Sequence, residues 1–136
     1  MADLKHSETT GAILKAFYTV YNTLGYGFLE KVYENALVVE LKSAGLLVEQ
    51  QRGITVHYRN TPVGEYFADL IVNDVVIVEL KSAEAIASAH EAQLTNYLKA
   101  TNYEVGLLLN FGKTAEYKRK IFDNTPEQLL SVLFHP

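Results

Sequence analysis

The chain of 136 residues has the length of one ordinary domain, and we expect residues 1–136 to fold as a single domain. Hydrophobic residues make up 49% and charged residues 21%, a composition that excludes a disordered or fibrous chain. The formal net charge of −4 argues against a pure nucleic-acid binder, which would be expected to carry a basic excess. A metal-dependent enzyme needs less of one, because bound cations supply local positive charge.

Targeting and redox signals are lacking in the sequence. The first ten residues contain acids and no hydrophobic signal core, and the longest apolar runs fall far short of a membrane span. The chain has no cysteine, so disulfides, a thiol nucleophile and a cysteine zinc site are excluded. We therefore expect a cytoplasmic protein without a membrane partner.

Two helices are predicted first. Apolar residues spaced three and four apart predict an amphipathic helix over Ser7–Leu24, with Ser7 or Thr9 as its N-cap. After a glycine-containing break, a second helical pattern covers residues 29–44. On that helix we expect four apolar residues to face the core: Val32, Ala36, Val39 and Leu41.

The rest of the chain predicts a sheet with one crossover helix. Residues 47–58 indicate a strand, and residues 65–81 indicate a hairpin of two apolar runs separated by Asn73 and Asp74. A third helix follows over residues 82–101, with Ser82 or Ser88 as its possible start. A buried strand over 103–111 is expected to lie parallel to a hairpin strand, and an edge strand over 117–122 completes the sheet. A short helix is predicted over 126–133.

This order, α-α-β-β-β-α-β-β, predicts an α/β fold with helices packed on a mixed sheet.

Charged residues interrupt the apolar runs of the predicted hairpin. Asp69 lies inside the first run, and Glu79 and Lys81 share one face at the end of the second, about 6–7 Å apart along the strand. Carboxylate oxygens are ligands that Mg²⁺ uses, and a neighbouring lysine can orient or deprotonate a water. The alternative is an exposed Glu–Lys pair of little energetic value, but ionised groups are rarely placed in apolar strands without a partner.

A shared site sets a condition on the hairpin register. If Asn73 and Asp74 formed a simple two-residue turn, Asp69 would pair with Val78 and lie on the face opposite Glu79. The two carboxylates would then be unable to bind one metal ion. We therefore predict an odd-length connection, such as residues 73–75, or a β-bulge.

An acid at the start of the second helix is a further candidate. Glu30 and Tyr33 lie three residues apart on one helix face, after a tight entry at Gly27. Glu30 is either a metal-site acid or a first-turn glutamate favoured by the helix dipole, and local sequence favours the second interpretation. Glu34, one turn further on, is the alternative acid.

The third helix carries a polar stripe. His90, Gln93 and Tyr97 fall at positions i, i+3 and i+7 and therefore share one face. Such a stripe is suited to contact a phosphate backbone. The alternative is an ordinary solvated face with an amphipathic tyrosine.

Five stretches, taken together and in order, resemble the GxxExxY proteins, a small bacterial and archaeal family placed in the PD-(D/E)xK nuclease superfamily. They are residues 27–33 (GFLEKVY), 64–69 (GEYFAD), 78–81 (VELK), 90–98 (HEAQLTNYL) and 105–112 (VGLLLNFG). The resemblance implies a restriction-endonuclease-like α-β-β-β-α-β core. The sequence departs from the superfamily pattern at one position, because alanine and not proline precedes Asp69.

The resemblance also implies roles for particular residues. Asp69 and Glu79 would bind Mg²⁺ or Mn²⁺, with the Leu80 carbonyl as a possible further ligand. Lys81 would be the catalytic lysine, and Glu30 the upstream helical acid.

Gln93-x-x-x-Tyr97 resembles the motif of RecB-like and lambda-exonuclease-like branches that contacts DNA, and His90 would lie beside it. The sequence thus predicts a metal-dependent enzyme that hydrolyses DNA phosphodiester bonds. The alternative is a catalytically silent nuclease-fold module for homo-oligomerisation or partner binding, which the acidic balance favours.

Overall fold

Residues 5–123 are described by the structure, a computed structural model. Their elements follow the predicted order, and the short helix expected over 126–133 lies outside the described residues. The elements are α1 Ser7–Leu24, α2 Glu30–Ser43, β1 Val48–Tyr58, β2 Thr61–Val72, β3 Val76–Lys81, α3 Ser88–Lys99, β4 Val105–Phe111 and β5 Ala115–Ile121.

The five strands form one mixed sheet in the order β1-β2-β3-β4-β5. Neighbouring strands are antiparallel except β3 and β4, which are parallel because α3 crosses over between them. The predicted α/β class and the parallel placement of β4 are confirmed, and the architecture is consistent with a restriction-endonuclease-like fold.

Helices cover both faces of this sheet and produce two apolar layers. Phe17 of α1 and Leu37 of α2 belong to the larger cluster, which packs on one face. Leu94 and Leu98 of α3 belong to the second cluster on the other face. Every residue of β4 is buried, as expected for a strand covered on both sides. No helix within residues 5–123 is long and apolar enough to cross a membrane.

Two local predictions were wrong, and for the third helix one of the two predicted starts is confirmed. His6, in a left-handed conformation, occupies the N-cap of α1 in place of Ser7 or Thr9. The third helix begins at Ser88, and residues 82–87 form a loop. On α2, Val39 is 64% exposed and Val32 is also exposed.

The α2 side that faces the core carries a different set of residues. The buried ones are Tyr33, Glu34, Leu37, Val38 and Leu41. Apolar residues occur on several sides of this helix, so spacing alone did not identify the buried face. The buried face of α2 is recognised instead by the contacts that Tyr33 makes.

Tyr33 fixes the turn that leads into α2. Its buried hydroxyl donates a hydrogen bond to the Gly25 carbonyl (2.6 Å) and accepts one from the Phe28 N–H (3.2 Å). Its ring stacks on Phe111 of β4 with centroids 4.3 Å apart. Gly25 and Gly27 take positive φ angles of 70° and 108°, which glycine adopts readily. The turn is therefore held to the sheet, and α2 begins at a defined place.

Tyr33→Phe is expected to lower the free energy of unfolding by about 1–3 kcal/mol, because the ring contact remains but buried backbone groups lose their partner. Urea denaturation followed by circular dichroism measures this. Tyr18→Phe is the matched control, since Tyr18 is an exposed tyrosine of the neighbouring helix. An equal effect of the two substitutions would contradict a structural role for the Tyr33 hydroxyl.

Candidate active site

The connection between β2 and β3 has the odd length that a shared site requires. Asn73 and Asp74 both have left-handed φ angles, 52° and 54°, and the Val75 N–H donates to the Val72 carbonyl (3.1 Å). In the strand register, however, Val72 pairs with Val76. Three residues therefore separate the paired positions, and the predicted odd register is confirmed.

This register places Asp69 opposite Glu79, but regular pairing of the strands ends one residue earlier, at Leu70. Beyond that point the side chains replace the missing ladder bonds. The Leu80 N–H donates to Asp69 Oδ2 (2.8 Å), and the Asp69 N–H donates to Glu79 Oε1 (3.2 Å). Each carboxylate thus binds the backbone of the opposite strand, and the two lie side by side.

Asp69 also marks a change of face along β2. Ala68 belongs to the apolar cluster beneath α3, whereas Leu70, two residues on, belongs to the cluster beneath α1 and α2. In a regular strand these two side chains would share a face. The opposite residue on β1 is Gln51, which has a left-handed φ of 54°. Both strands are therefore irregular at the same place, beside the carboxylates.

Burial and charge strongly perturb Glu79. Glu79 is only 6% exposed. Loss of solvation is the main cause that raises its pKa to about 9, and repulsion from Asp69 is the second, whereas the charge of Lys81 lowers this pKa. Glu79 therefore keeps its proton at neutral pH in the absence of a cation.

Within residues 5–123, no three carboxylate or imidazole groups form a ready arrangement for a metal ion. The Asp69–Glu79 pair nevertheless fits one chemically, because it offers hard oxygen ligands and a proton that a cation would displace.

Glu30 and Lys81 lie within electrostatic range of this pair. Loss of solvation is the main cause that raises the pKa of Glu30; the charge of Lys81 lowers it and that of Asp69 raises it. Lys81 is half-buried at the end of β3. Glu30 therefore lies near enough to Asp69 and Lys81 to be affected by their charges, but it forms no compact three-acid cluster with Asp69 and Glu79 among residues 5–123.

Glu34, the other acid of α2, is engaged elsewhere. It is buried and accepts hydrogen bonds from Lys31 (2.9 Å), Gln50 (2.8 Å) and Gln51 (2.9 Å). The Gln51 amide also donates to Asp69 Oδ1 (3.3 Å). Glu34 thus ties α2 to β1, and Glu30 is the acid better placed to bind a ligand. The sequence contained no signal for Gln51, a polar residue in a mostly exposed strand.

The stripe on α3 reaches the same region. His90 accepts a hydrogen bond from the Ala87 N–H at Nδ1 (3.1 Å), and its charge is among those that act on Glu30. Loss of solvation and the charge of Glu79 raise the pKa of Tyr97 to about 12. Gln93 and Tyr97 line a cavity of about 710 Å³ between α3 and the β1–β2 hairpin. The stripe therefore borders the carboxylates.

Comparison with known proteins agrees with this geometry. The sequence profile of the PD-(D/E)XK nuclease superfamily matches residues 7–121. The chain belongs to this superfamily. Nucleases of this superfamily generally use divalent metal ions, and membership points to a nuclease that interacts with nucleic acid.

A solved structure titled "Crystal structure of SSO0001" resembles the PD-(D/E)XK fold of this chain. It has a TM-score of 0.52 and 16% sequence identity, and the match covers 93% of this chain but only 65% of that one. At this identity the likeness concerns the fold alone. The search of curated proteins found no match to this chain.

Leu80 contacts Asp69 through its backbone. Its side chain lies in the core and its N–H binds Asp69, so only its carbonyl remains for the implied ligand role.

Asn110 is a site-supporting residue of this nuclease fold that the sequence did not single out. It pairs with Lys81 in the β3–β4 register and is fully buried. Its side chain accepts a hydrogen bond from the Ala83 N–H (2.9 Å) and donates one to the Ala83 carbonyl (3.0 Å). Asn110 thereby fixes the chain that leaves Lys81. An amide within the apolar run of β4 was the available signal.

Without metal, the stability of this domain should fall as pH rises. Folding raises the pKa of Glu79 from its ordinary value of 4.5 to about 9, so the native state binds more protons between these values, and folding loses stability as pH rises through that window. Thermal unfolding in chelator should therefore show Glu79→Gln gaining several degrees over wild type between pH 5 and pH 9. Glu84→Gln, at an exposed site, is the control. A constant difference between wild type and Glu79→Gln across this range would contradict the raised pKa.

Proposed function

We propose that this protein is a Mg²⁺- or Mn²⁺-dependent nuclease that hydrolyses phosphodiester bonds of DNA. The observation that carries the proposal is the contact between Asp69 and Glu79 across the parted strands, with Lys81 beside them. The residues that support the site, Gly27-x-x-Glu30-x-x-Tyr33 and Gln93-x-x-x-Tyr97, favour the GxxExxY family and a RecB-like or lambda-exonuclease-like branch.

Asp69 and Glu79 would hold the cation, with Glu30 as a third acid and the Leu80 carbonyl as a possible further ligand. A divalent cation at this place supplies charge to the phosphate and lowers the pKa of a bound water. The carboxylates are already oriented for it, because each accepts a backbone hydrogen bond from the opposite strand. Glu79 must release its proton when the cation binds.

Lys81 and the α3 residues act on the nucleic acid. The Lys81 ammonium follows Glu79 on the same side of β3, where it would orient the attacking water and stabilise charge that develops on the phosphate. Gln93 and Tyr97 would position the strand, and His90 has Nε2 available for a phosphate because Nδ1 accepts the Ala87 N–H.

Cleavage assays test the catalytic assignment. Lys81→Ala is expected to lower the rate of Mn²⁺-dependent cleavage of single- or double-stranded DNA roughly 10²–10⁴-fold, the range for loss of a positioned catalytic group. Lys15→Ala, on the exposed side of α1, should leave the rate unchanged. Equal cleavage by wild type and Lys81→Ala would indicate a contaminant and reject the assignment.

Metal binding is tested separately from turnover. Mg²⁺ or Mn²⁺ should raise the melting temperature of the wild type, because a ligand that binds only the native state stabilises it by mass action. Calorimetry should show proton release on binding. Asp69→Asn should lose both effects. If the wild type shows no metal binding and no cleavage, a catalytically silent module is the better assignment.

A further inference from the structure

A cavity of about 710 Å³ lies between α3 and the β1–β2 hairpin, on the side of α3 that carries Gln93 and Tyr97. Tyr66 of β2 and Tyr97 of α3 meet in its wall, with ring centroids 5.3 Å apart and planes tilted by 49°. Tyr97 is buried, whereas Tyr66 is 46% exposed and offers a free ring face. The cavity therefore has one accessible aromatic wall.

Small and amide side chains form the rest of its lining. Ala89 and Ala92 occupy successive turns of α3 and leave room for a planar group. Gln93 and Asn96 add amides, which can donate and accept hydrogen bonds. This combination of an aromatic face and amide edges suits a nucleobase, which has a π-face and a polar edge.

The position of the cavity connects it to the carboxylates. Tyr66 lies in its wall and is three residues from Asp69 along β2, a separation of about 10 Å at the usual rise of a strand. Lys99 and His57 lie on the lining as well and can pair with a neighbouring phosphate. A strand with one phosphate at the carboxylates would thus have an adjacent base within reach of the cavity.

We propose that this cavity binds one unpaired nucleobase of the substrate, stacked on Tyr66 and hydrogen-bonded by Gln93 and Asn96. The inference rests on the proposed nuclease function and deepens it. A base in a continuous duplex is stacked and paired on its Watson–Crick edge, so it cannot enter such a cavity without being extruded. The substrate is therefore single-stranded DNA or an unpaired end.

Fluorescence tests the proposal directly, because the chain contains no tryptophan. Tyr66→Trp places one reporter in the cavity and keeps an aromatic wall. In a Lys81→Ala background with Mg²⁺, a ten-nucleotide oligothymidylate should quench this tryptophan by stacking. Phe67→Trp is the matched control, since Phe67 is the next residue of β2, is 56% exposed and does not line the cavity. Its fluorescence should stay unchanged.

Affinity measurements provide the second test. Tyr66→Ala in the same background should weaken binding of the oligothymidylate roughly tenfold, the usual effect of removing one stacked base. A blunt duplex should not quench the fluorescence of Tyr66→Trp. It should also bind with equal affinity to the proteins with tyrosine and with alanine at position 66. Circular dichroism checks that the Tyr66→Ala variant folds. If this variant does not fold, the fluorescence of Tyr66→Trp still tests the proposal.

The outcomes separate this inference from the proposed function. If the wild type cleaves DNA but oligothymidylate does not quench the fluorescence of Tyr66→Trp, the base site alone is overturned. Equal quenching by the blunt duplex overturns the requirement for an unpaired base. If the parent protein neither binds nor cleaves any DNA, the proposed function and the base site fall together.

Discussion

The regular pairing of β2 with β3 ends at Leu70. The contact between Asp69 and Glu79 depends on this interruption of the ladder. The N–H groups of Asp69 and Leu80 are left without ladder partners inside a covered sheet, where an unpaired donor is costly. The carboxylates of Glu79 and Asp69 accept them. The same hydrogen bonds therefore complete the sheet and force two acids together. Burial of Glu79 and then repulsion from Asp69 raise the pKa of Glu79, and a bound cation would stabilise both charges.

Hydrogen bonds and ring contacts hold the first turns of α2 close to this pair. At its start, Tyr33 closes the preceding turn and stacks on Phe111. One turn into the helix, Glu34 accepts hydrogen bonds from β1, and Gln51 extends this network to Asp69. Glu30, the first residue of α2, precedes both attachments by about one turn. Its place beside the carboxylates is therefore held by neighbours that do not themselves face a ligand.

Sequence reasoning succeeded where a simple geometric rule applied. The period of two along a strand required an odd connection if Asp69 and Glu79 were to meet, and the register Val72–Val76 satisfies it. The parallel placement of β4 followed in the same way from the crossover helix. The inner face of α2 did not follow, because Val38 and Val39 are equally apolar and tertiary contacts alone distinguish them.

Other features depended on contacts distant in sequence. The left-handed Gln51 and the change of face at Asp69 arise where two strands become irregular together, and neither strand shows this by itself. No pattern in the sequence indicated that Glu34 is buried and bound to β1, because its amide partners there lie 16 and 17 residues away.

The acidic balance of the chain bears on how nucleic acid would be held. Some basic side chains among residues 5–123 are already paired, as Lys120 with Glu91 (2.6 Å) and Arg52 with Glu49 (2.9 Å). With a net charge of −4, phosphate neutralisation by side chains would supply less of the affinity than in a basic nucleic-acid binder. A cation at Asp69 and Glu79 adds positive charge where a phosphate would lie, and stacking on Tyr66 adds affinity that does not depend on charge. The proposed metal site and base site are therefore complementary: each would supply part of the affinity that a basic excess would otherwise provide.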